Sequence, residues 1–276
     1  MTNLASSEAA LNAAPRGSAS RRGPIMLMRA AFLVLILAIW QGAVATGFAD
    51  AAFVSTPLSV GQSLWRLSSS GEIFPHLGTT LVEIAIAFVS SVVLGIASAV
   101  VLDRNEWFNQ IVSPFLTALN SMPRIALGPL FILWFGIGIA SKVVLAFSLG
   151  YFIMLLSTLG GLKNVDRDLL LMSRLFGASE LRLFRHVRLP WAFPSIFAGL
   201  RLTLIYCSAG AVIGEMIAAK SGLGLLVQTY SGRFDVAGVL ALILVVAVMV
   251  MALTSLMDLT ERRLLDWSKG STDVPG

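Results

Sequence analysis

The chain has 276 residues, of which 57% are hydrophobic and only 13% charged, and its mean hydropathy is +0.84. Soluble domains carry about 25% charged residues, so this composition excludes an ordinary soluble fold. It also excludes intrinsic disorder, which needs low hydrophobicity and high charge. A single cysteine, Cys207, excludes a disulfide scaffold, and two distant histidines indicate no metal cluster.

The N-terminal segment is small, polar and without periodicity, which predicts a flexible cytoplasmic tail over residues 1–24. Ser20-Arg21-Arg22 ahead of an apolar run is the alternative sign of a cleaved twin-arginine signal peptide. The residues directly after this arginine pair fit that signal poorly, and five further apolar segments follow. We therefore favour the tail.

Six segments are long and apolar enough to cross a bilayer, which takes about 20 residues in a helix. They run approximately over 29–47, 77–102, 110–136, 142–161, 196–219 and 236–259. The third contains Pro114, Pro123 and Pro129, so it is predicted to be kinked or broken. Because these apolar runs do not alternate, they are not the strands of an outer-membrane barrel. The predicted fold is all-α and integral to the membrane, with one transmembrane domain over 25–267 and a cytoplasmic C-terminal tail at 268–276.

The distribution of lysine and arginine predicts the orientation. With six spans both termini lie on one side, and that side carries fourteen Lys and Arg residues against four on the other. Both termini are therefore predicted to be cytoplasmic, in a multi-pass protein of the bacterial inner membrane. The net charge of +5 is explained by this topology, so no nucleic-acid partner is predicted.

The motifs of covalent catalysis are missing from the sequence: there is no G-x-x-x-x-G-K-[ST] phosphate loop, no G-x-S-x-G, no HExxH and no CxxC. Gly136-Ile137-Gly138 is interpreted as a turn at the end of a span. The chain is therefore predicted to be a non-catalytic subunit that binds neither a metal nor a cofactor of its own.

The longest internal connection on the predicted cytoplasmic side, residues 163–194, indicates two short helices. The first, capped by Asn164 or Asp166, is predicted to end at Phe176. Gly177 then suits the left-handed position that follows many helices, where a Cβ is penalised.

The second short helix is predicted to begin after Ser179 as its N-cap and to end at Leu189-Pro190. Leu181, Phe184 and Val187 fall on one face of this helix. Basic side chains fall on another face: Arg182, Arg185 and His186. Composition alone leaves two partners open for the apolar face, an anionic lipid surface and a groove on another protein.

Gly177, followed after nine residues by Val187-x-Leu189-Pro190, resembles half of the EAA signature, which marks the permease subunits of bacterial ABC importers. Other segments are similar to the nitrate/sulfonate/taurine branch of that family: PRIALGPLFILWFGIG (123–138), LFGASELRLFRHVRLP (175–190), AGLRL (198–202) and GEMIAAKSGLGLLVQ (214–228). The signature's Glu-Ala-Ala falls on Leu171-Met172-Ser173 here, so the acidic position is lost. No salt bridge is expected from it.

The resemblance implies a type I importer in which two permease subunits, here a homodimer, form the pore within membrane lipid. A periplasmic or lipid-anchored solute-binding protein delivers a small anionic or polar solute such as a sulfonate or nitrate. Two ATPase subunits hold ATP and receive the short helix of the loop in a groove. Residues expected to couple to the ATPase are Gly177, Ala178, Ser179, Glu180, Leu181, Phe184, Arg185, Leu189 and Pro190. The alternative is a six-span secondary transporter or channel without an ATPase partner.

Polar side chains inside spans cost about 2.5–3.5 kcal/mol at the bilayer centre, so they are candidates for the translocation path. The candidates are Pro123, Arg124, Ser208 and Glu215. Arg124 either attracts an anion along the path or donates to carbonyls that the prolines free. Glu215 either helps to gate the pore or hydrogen-bonds to a neighbouring span.

Three further features of the spans carry expectations. Glu83 and Arg201 are predicted to snorkel toward the membrane surfaces. Gly210 and Gly214 form a G-x-x-x-G pair, which favours close helix packing. The glycine-rich segment 221–224 predicts a flexible stretch that contributes to an outer gate.

Overall fold

The computed structural model describes residues 22–265, and every regular element in that part of the chain is helical. This confirms the predicted all-α fold. The helices are α1 (Arg22–Ala45), α2 (Ala51–Val54), α3 (Pro57–Ser69), α4 (Ile73–Arg104), α5 (Glu106–Ser121), α6 (Gly128–Phe135), α7 (Ile139–Lys163), α8 (Arg167–Leu175), α9 (Glu180–Leu183), α10 (Leu189–Ile217), α11 (Leu223–Gly232) and α12 (Val236–Leu265). The predicted tails lie outside the described residues, except that residues 22–24 begin α1 and are helical.

Within residues 22–265, five helices are long and apolar enough to cross a membrane: α1, α4, α7, α12 and the continuous helix Glu180–Ile217. A sixth span results if α5 and the segment Arg124–Phe135 are counted as one bent crossing. The chain is thus a multi-pass membrane protein, and the bent crossing, when counted, gives the six spans that the sequence predicts.

The structure divides at Val60 into two units. In the first unit, α1 is a helix of 24 residues whose apolar side chains are exposed along its length. The short helix α2 begins after Asp50, because the Asp50 carboxylate accepts a hydrogen bond from the Ala52 N–H at 2.9 Å.

In the second unit, which begins at Gly61, α7 packs between α4 and α10. The side chains of Met154 and Leu155 on α7 are fully buried there. Small residues allow the close approach of α10. A Cβ on Gly210 would lie 2.7 Å from the Ala146 Cα atom, and one on Gly214 would lie 3.2 Å from the side chain of Lys142. The G-x-x-x-G pair therefore packs on α7 of the same chain.

The third predicted span is broken, as its prolines indicate. Helix α5 ends at Ser121, a 3-10 turn follows over Arg124–Leu127, and α6 then leaves at an angle of 80° to α5. Pro123 cannot donate the next helical hydrogen bond, and Pro129 suits the first turn of a new helix because its missing N–H needs no partner there. The break at Pro123 therefore determines where the chain changes direction.

The prediction that a helix ends at Leu189-Pro190 is wrong. The helix that begins at Glu180 runs without interruption to Ile217, through a π-helical turn over Phe184–Arg188. In this turn, the Leu189 N–H donates to the Phe184 carbonyl five residues earlier. The wider turn accommodates Pro190, whose ring would clash with the carbonyl four residues back in a regular helix.

Candidate functional site

The turn between α8 and α9 has the geometry that the sequence predicts. Helix α8 begins after Asp166, whose carboxylate accepts from the Asp168 N–H at 2.9 Å. It is closed by Gly177, which has φ +79°, a conformation that glycine enters without penalty. The Gly177 N–H donates to Arg174 O at 2.9 Å and the Ala178 N–H to Ser173 O at 3.1 Å, the pair of bonds that defines a Schellman motif.

Ser179 is the N-cap residue of α9, as the sequence predicts, but its side chain does not take part in the capping. The Ser179 carbonyl accepts from the Leu183 N–H at 2.8 Å, whereas its hydroxyl makes no capping hydrogen bond. Glu180, in the first turn, pairs with Arg174 at 3.0 Å across the Gly177 turn. Both partners of this ion pair are exposed, so it contributes little to stability.

Six large apolar side chains are exposed between the start of α8 and the end of α9, and we call the five most exposed of them the loop patch. They are Leu171, Met172, Leu175, Phe176 and Leu181, and their exposed fractions range from 57% to 86%. They lie on a segment that also carries exposed charged residues: Asp166, Arg167, Asp168, Arg174, Glu180, Arg182 and Arg185. An exposed apolar patch of this kind is typical of a surface that a protein or a membrane covers.

Phe184, which was predicted to couple to the ATPase with Leu181, is less exposed than Leu181. It is half-buried and packs against the core around Met154 and Leu162. The guanidinium of Arg104 lies 4.7 Å from the centre of its ring. Phe184 is therefore directed toward α4 and α7, whereas Leu181 remains exposed.

The other residues predicted to couple to the ATPase also include both exposed and half-buried side chains. Arg185 is exposed, while Ala178, Leu189 and Pro190 are half-buried. Leu189 packs on the same core as Phe184. The coupling residues predicted from the sequence begin at Gly177 and so include none of the apolar residues of α8. Their signal was nevertheless present, since Leu171, Leu175 and Phe176 interrupt a charged segment that lies outside the spans.

At the other end of α10, Glu215 is fully buried in a cluster of hydrogen bonds, which we call the Glu215 cluster. Its Oε1 atom accepts from the Thr80 hydroxyl on α4 at 2.7 Å, and its Oε2 atom accepts from the Gly224 N–H at 2.7 Å. The Thr80 oxygen in turn accepts from the Leu223 N–H at 2.9 Å. Glu215 thus makes the hydrogen bond to a neighbouring span that was one of its two predicted roles.

The segment 221–224 is fastened by this cluster, which corrects the prediction that it is flexible. The Gly222 N–H donates to His76 Nδ1 at 3.0 Å, and the hydroxyls of Ser221 and Thr79 lie 3.0 Å apart. Gly222 has φ +126°, and a Cβ at this position would overlap the Glu215 carboxylate. The glycine is needed for this conformation and for the close approach.

Two further charged side chains lie beside the cluster. Glu83 is buried, so the prediction that it snorkels is wrong. Lys142 on α7 is also buried, and its Nζ atom donates to the Ile137 carbonyl at 3.0 Å. Both line a cavity of about 250 Å³ together with Thr79 and Lys220. The fold therefore keeps acidic and basic groups near one another inside the protein.

The side chain of Arg124 makes the carbonyl contacts that were one of its two predicted roles. It donates to Ser148 O at 2.7 Å, to Asn120 O at 3.0 Å and to Asn120 Oδ1 at 2.6 Å. Its guanidinium also lies 4.6 Å from the centre of the Phe152 ring. The arginine fork thus spans the break after α5 and joins it to α7.

The remaining candidates in the spans have simpler surroundings. Ser208 is buried and donates to Leu204 O at 2.8 Å within α10, and Pro123 is exposed at the break. Arg201 does not reach for the membrane surface, because it pairs with Asp258 at 2.5 Å and with Glu261 at 2.9 Å on α12. Its predicted snorkelling is therefore replaced by an ion-pair network between two helices.

Comparison with known proteins agrees with the resemblance in the loop. A family model described as the binding-protein-dependent transport system inner membrane component matches residues 91–266. The chain is 32% identical over 235 residues to the riboflavin transport system permease protein RibX of Chloroflexus aurantiacus, covering 85% of this chain and 88% of that protein. It is 34% identical over 191 residues to the putative aliphatic sulfonates transport permease protein SsuC of Escherichia coli, covering 69% and 73%.

The fold is also similar to that of a solved structure, an amino acid ABC transporter crystallised with histidines. The TM-score is 0.60 at 17% sequence identity, and the match covers 72% of this chain and 97% of the other. At this level of identity the likeness concerns the fold alone.

Proposed function

Because this chain belongs to the family of inner membrane components of binding-protein-dependent transport systems, and is thus an ABC importer permease, we propose that it couples to a separate ATPase subunit through the loop patch. The spans form the translocation path. ATP is bound and hydrolysed on the partner subunit, and this chain binds no cofactor of its own.

The single observation that carries this proposal is the exposure of the loop patch. Burial of one large apolar side chain contributes roughly 1.5–3 kcal/mol, so five of them offer a large gain to any protein that covers them. The charged residues between them make insertion of the segment into hydrocarbon costly. The patch is therefore suited to a protein groove in water.

The charge pattern of α8 argues for a protein groove and against a lipid surface. An interfacial helix that binds anionic lipid presents mainly basic residues around its apolar face. Here the four exposed arginines of the segment are interspersed with three exposed carboxylates. Asp166 and Asp168 lie at the start of α8, and Glu180 begins α9 beside the patch. These carboxylates would be repelled by anionic head groups.

The family implies further partners. We propose that a periplasmic or lipid-anchored binding protein delivers the solute and that a second copy of this chain completes the pore as a homodimer. Membrane lipid contacts the apolar outer faces of the long helices. The lysine and arginine bias supports a placement of the loop patch and both termini in the cytoplasm, with the chain in the bacterial inner membrane.

For the substrate we propose a small anionic or polar solute, with an aliphatic sulfonate as the first compound to test. The support is the 34% identity to a relative whose name refers to aliphatic sulfonates. The relative at 32% identity is named for riboflavin. Uptake of a labelled alkanesulfonate, measured with nitrate and riboflavin as competitors, distinguishes these solutes.

The experiment that tests the ATPase proposal uses the double variant Phe176→Asp with Leu181→Asp. Both side chains are exposed, so the variant is expected to insert and fold normally but to lose the ATPase during co-purification from detergent. The control is Asn164→Asp, which adds one negative charge, against two in the double variant, at an exposed position of the loop outside the patch. Normal ATPase binding by the double variant would overturn the assignment of the loop patch as the ATPase contact. If the unmodified protein binds no ATPase, the channel or secondary-transporter alternative is favoured instead.

A further inference from the structure

The inner end of α4 meets the π-turn at two points. At one end of the turn, Arg188 donates to the carboxylate of Asp103 at 3.1 Å, and the Asp103 side chain is only 5% exposed. At the other end, the guanidinium of Arg104 lies 4.7 Å from the centre of the Phe184 ring. Two consecutive residues of α4 thus hold the first and last residues of the turn.

This joint lies between the loop patch and the spans. Leu181, a member of the patch, and Glu180 line one cleft together with Asp103, Arg104 and the π-turn residues. Since α9, the π-turn and α10 form one continuous helix, a force on the patch reaches the π-turn directly. A π-turn is a frequent site of functional bending in a helix.

Helix α4 continues from this joint to the Glu215 cluster. Its first turns carry His76, Thr79 and Thr80, which contact the segment 221–224 and Glu215. One rigid helix of 32 residues therefore touches the loop segment at its C-terminal end and the Glu215 cluster near its N-terminal end.

Building on the proposed function, we propose that Asp103 and Arg188 are a positioning pair that makes α4 move with the loop patch. When the ATPase displaces the patch, the pair transmits the displacement to α4 and so to the Glu215 cluster. The pair is suited to this because its carboxylate is buried, and loss of one partner leaves the other charge uncompensated.

The test measures the response of the Glu215 cluster to ATP in the reconstituted complex with the ATPase. Thr79→Cys and Ser221→Cys, in a Cys207→Ser background, report the distance between α4 and the segment 221–224 through disulfide formation under mild oxidant. Disulfide yield is compared without nucleotide and after trapping with ATP and vanadate. We expect trapping to change the yield at least twofold in the otherwise unmodified protein.

In this background, Asp103→Asn and Arg188→Gln are each expected to bind the ATPase normally but to abolish the change in yield. Arg188→Lys, which keeps the charge, and the exchange of Asp103→Arg with Arg188→Asp are expected to restore it. The matched control is Arg201→Gln, which removes an ion pair between α10 and α12 away from the π-turn. It is expected to leave the change intact.

Several results would overturn the inference. The first is a complex with unmodified Asp103 and Arg188 that binds the ATPase but shows no change in disulfide yield on trapping. The second is a full change in disulfide yield in both Asp103→Asn and Arg188→Gln. Failure of both restoring variants, although they bind the ATPase, is a third. If the unmodified protein itself does not bind the ATPase, the proposed function fails and the inference fails with it.

Discussion

The Glu215 cluster and the loop patch lie at opposite ends of the continuous helix Glu180–Ile217, and they differ in how their side chains are surrounded. In the Glu215 cluster, polar groups are buried and bonded to one another, so that end is complete within the chain. In the loop patch, apolar groups are exposed among charges, and the proposal is that a partner subunit covers them. The contrast separates contacts that this chain completes by itself from a surface whose completion by a partner can be tested.

The largest expected effect concerns the Glu215 cluster. Glu215→Ala leaves the buried Gly224 N–H without its acceptor, at about 1–3 kcal/mol, and removes one of the two acceptors of the Thr80 hydroxyl, which still reaches His76 O at 3.1 Å. Truncation of a fully buried side chain also leaves a cavity, which adds to the loss. We expect the variant to lose about 3 kcal/mol or more of unfolding free energy, seen as a lower midpoint of thermal unfolding in detergent. Glu215→Gln should lose less, because it keeps one of the two acceptor oxygens.

The control for this prediction is Glu180→Ala, which removes an exposed ion pair beside the loop patch. An exposed pair contributes about 0–1 kcal/mol, so its unfolding midpoint should stay near that of the unmodified protein. If Glu215→Ala and Glu180→Ala lowered the unfolding midpoint equally, the proposed difference between the Glu215 cluster and the loop patch would be wrong.

A smaller effect is expected at Arg124, which bridges the broken span. Arg124→Gln and Arg124→Lys both lose the fork that reaches Asn120 and Ser148 together, so each should lower stability by about 1–3 kcal/mol. The measurement is thermal unfolding beside uptake in vesicles. If the lysine variant keeps full stability and full uptake while the glutamine variant loses uptake, the charge acts on a translocated anion instead.

The smallest stability effect is expected at Gly177. A valine at the positive φ of Gly177 costs about 1–2 kcal/mol. We expect the variant to relieve this strain by opening the turn between α8 and α9. Gly177→Val should therefore weaken ATPase co-purification while the unfolding midpoint of the spans changes little. Gly160→Val is the matched control, since a Cβ there meets no atom within 4 Å. Loss of ATPase binding in both variants would show that the turn has no special role.

The sequence predicted those features whose cause is local. Pro123 breaks the third span because its own ring and missing N–H do so, and Gly177 ends α8 because its neighbours supply the Schellman bonds. The spans could be predicted from the length and apolar composition of each segment, because the bilayer requires about 20 apolar residues of any helix that crosses it.

Features that depend on distant residues could not be predicted. Leu189-Pro190 is a local stop signal, yet the helix continues through a π-turn whose ends are held by α4, some eighty residues earlier. The direction of Phe184 depends on Arg104 in the same way. Glu215 accepts a hydrogen bond from Thr80 because the packing of α4 against α10 brings the two side chains together.

The central claim is that the loop patch is the surface that the ATPase covers. The most direct measurement places a photo-reactive phenylalanine analogue at Phe176 and, for comparison, at Leu133 on α6, which is 80% exposed but lies on an apolar helix. Irradiation of membranes that contain both subunits should capture the ATPase from position 176 and not from position 133. Capture from neither position, or equal capture from both, would contradict the account.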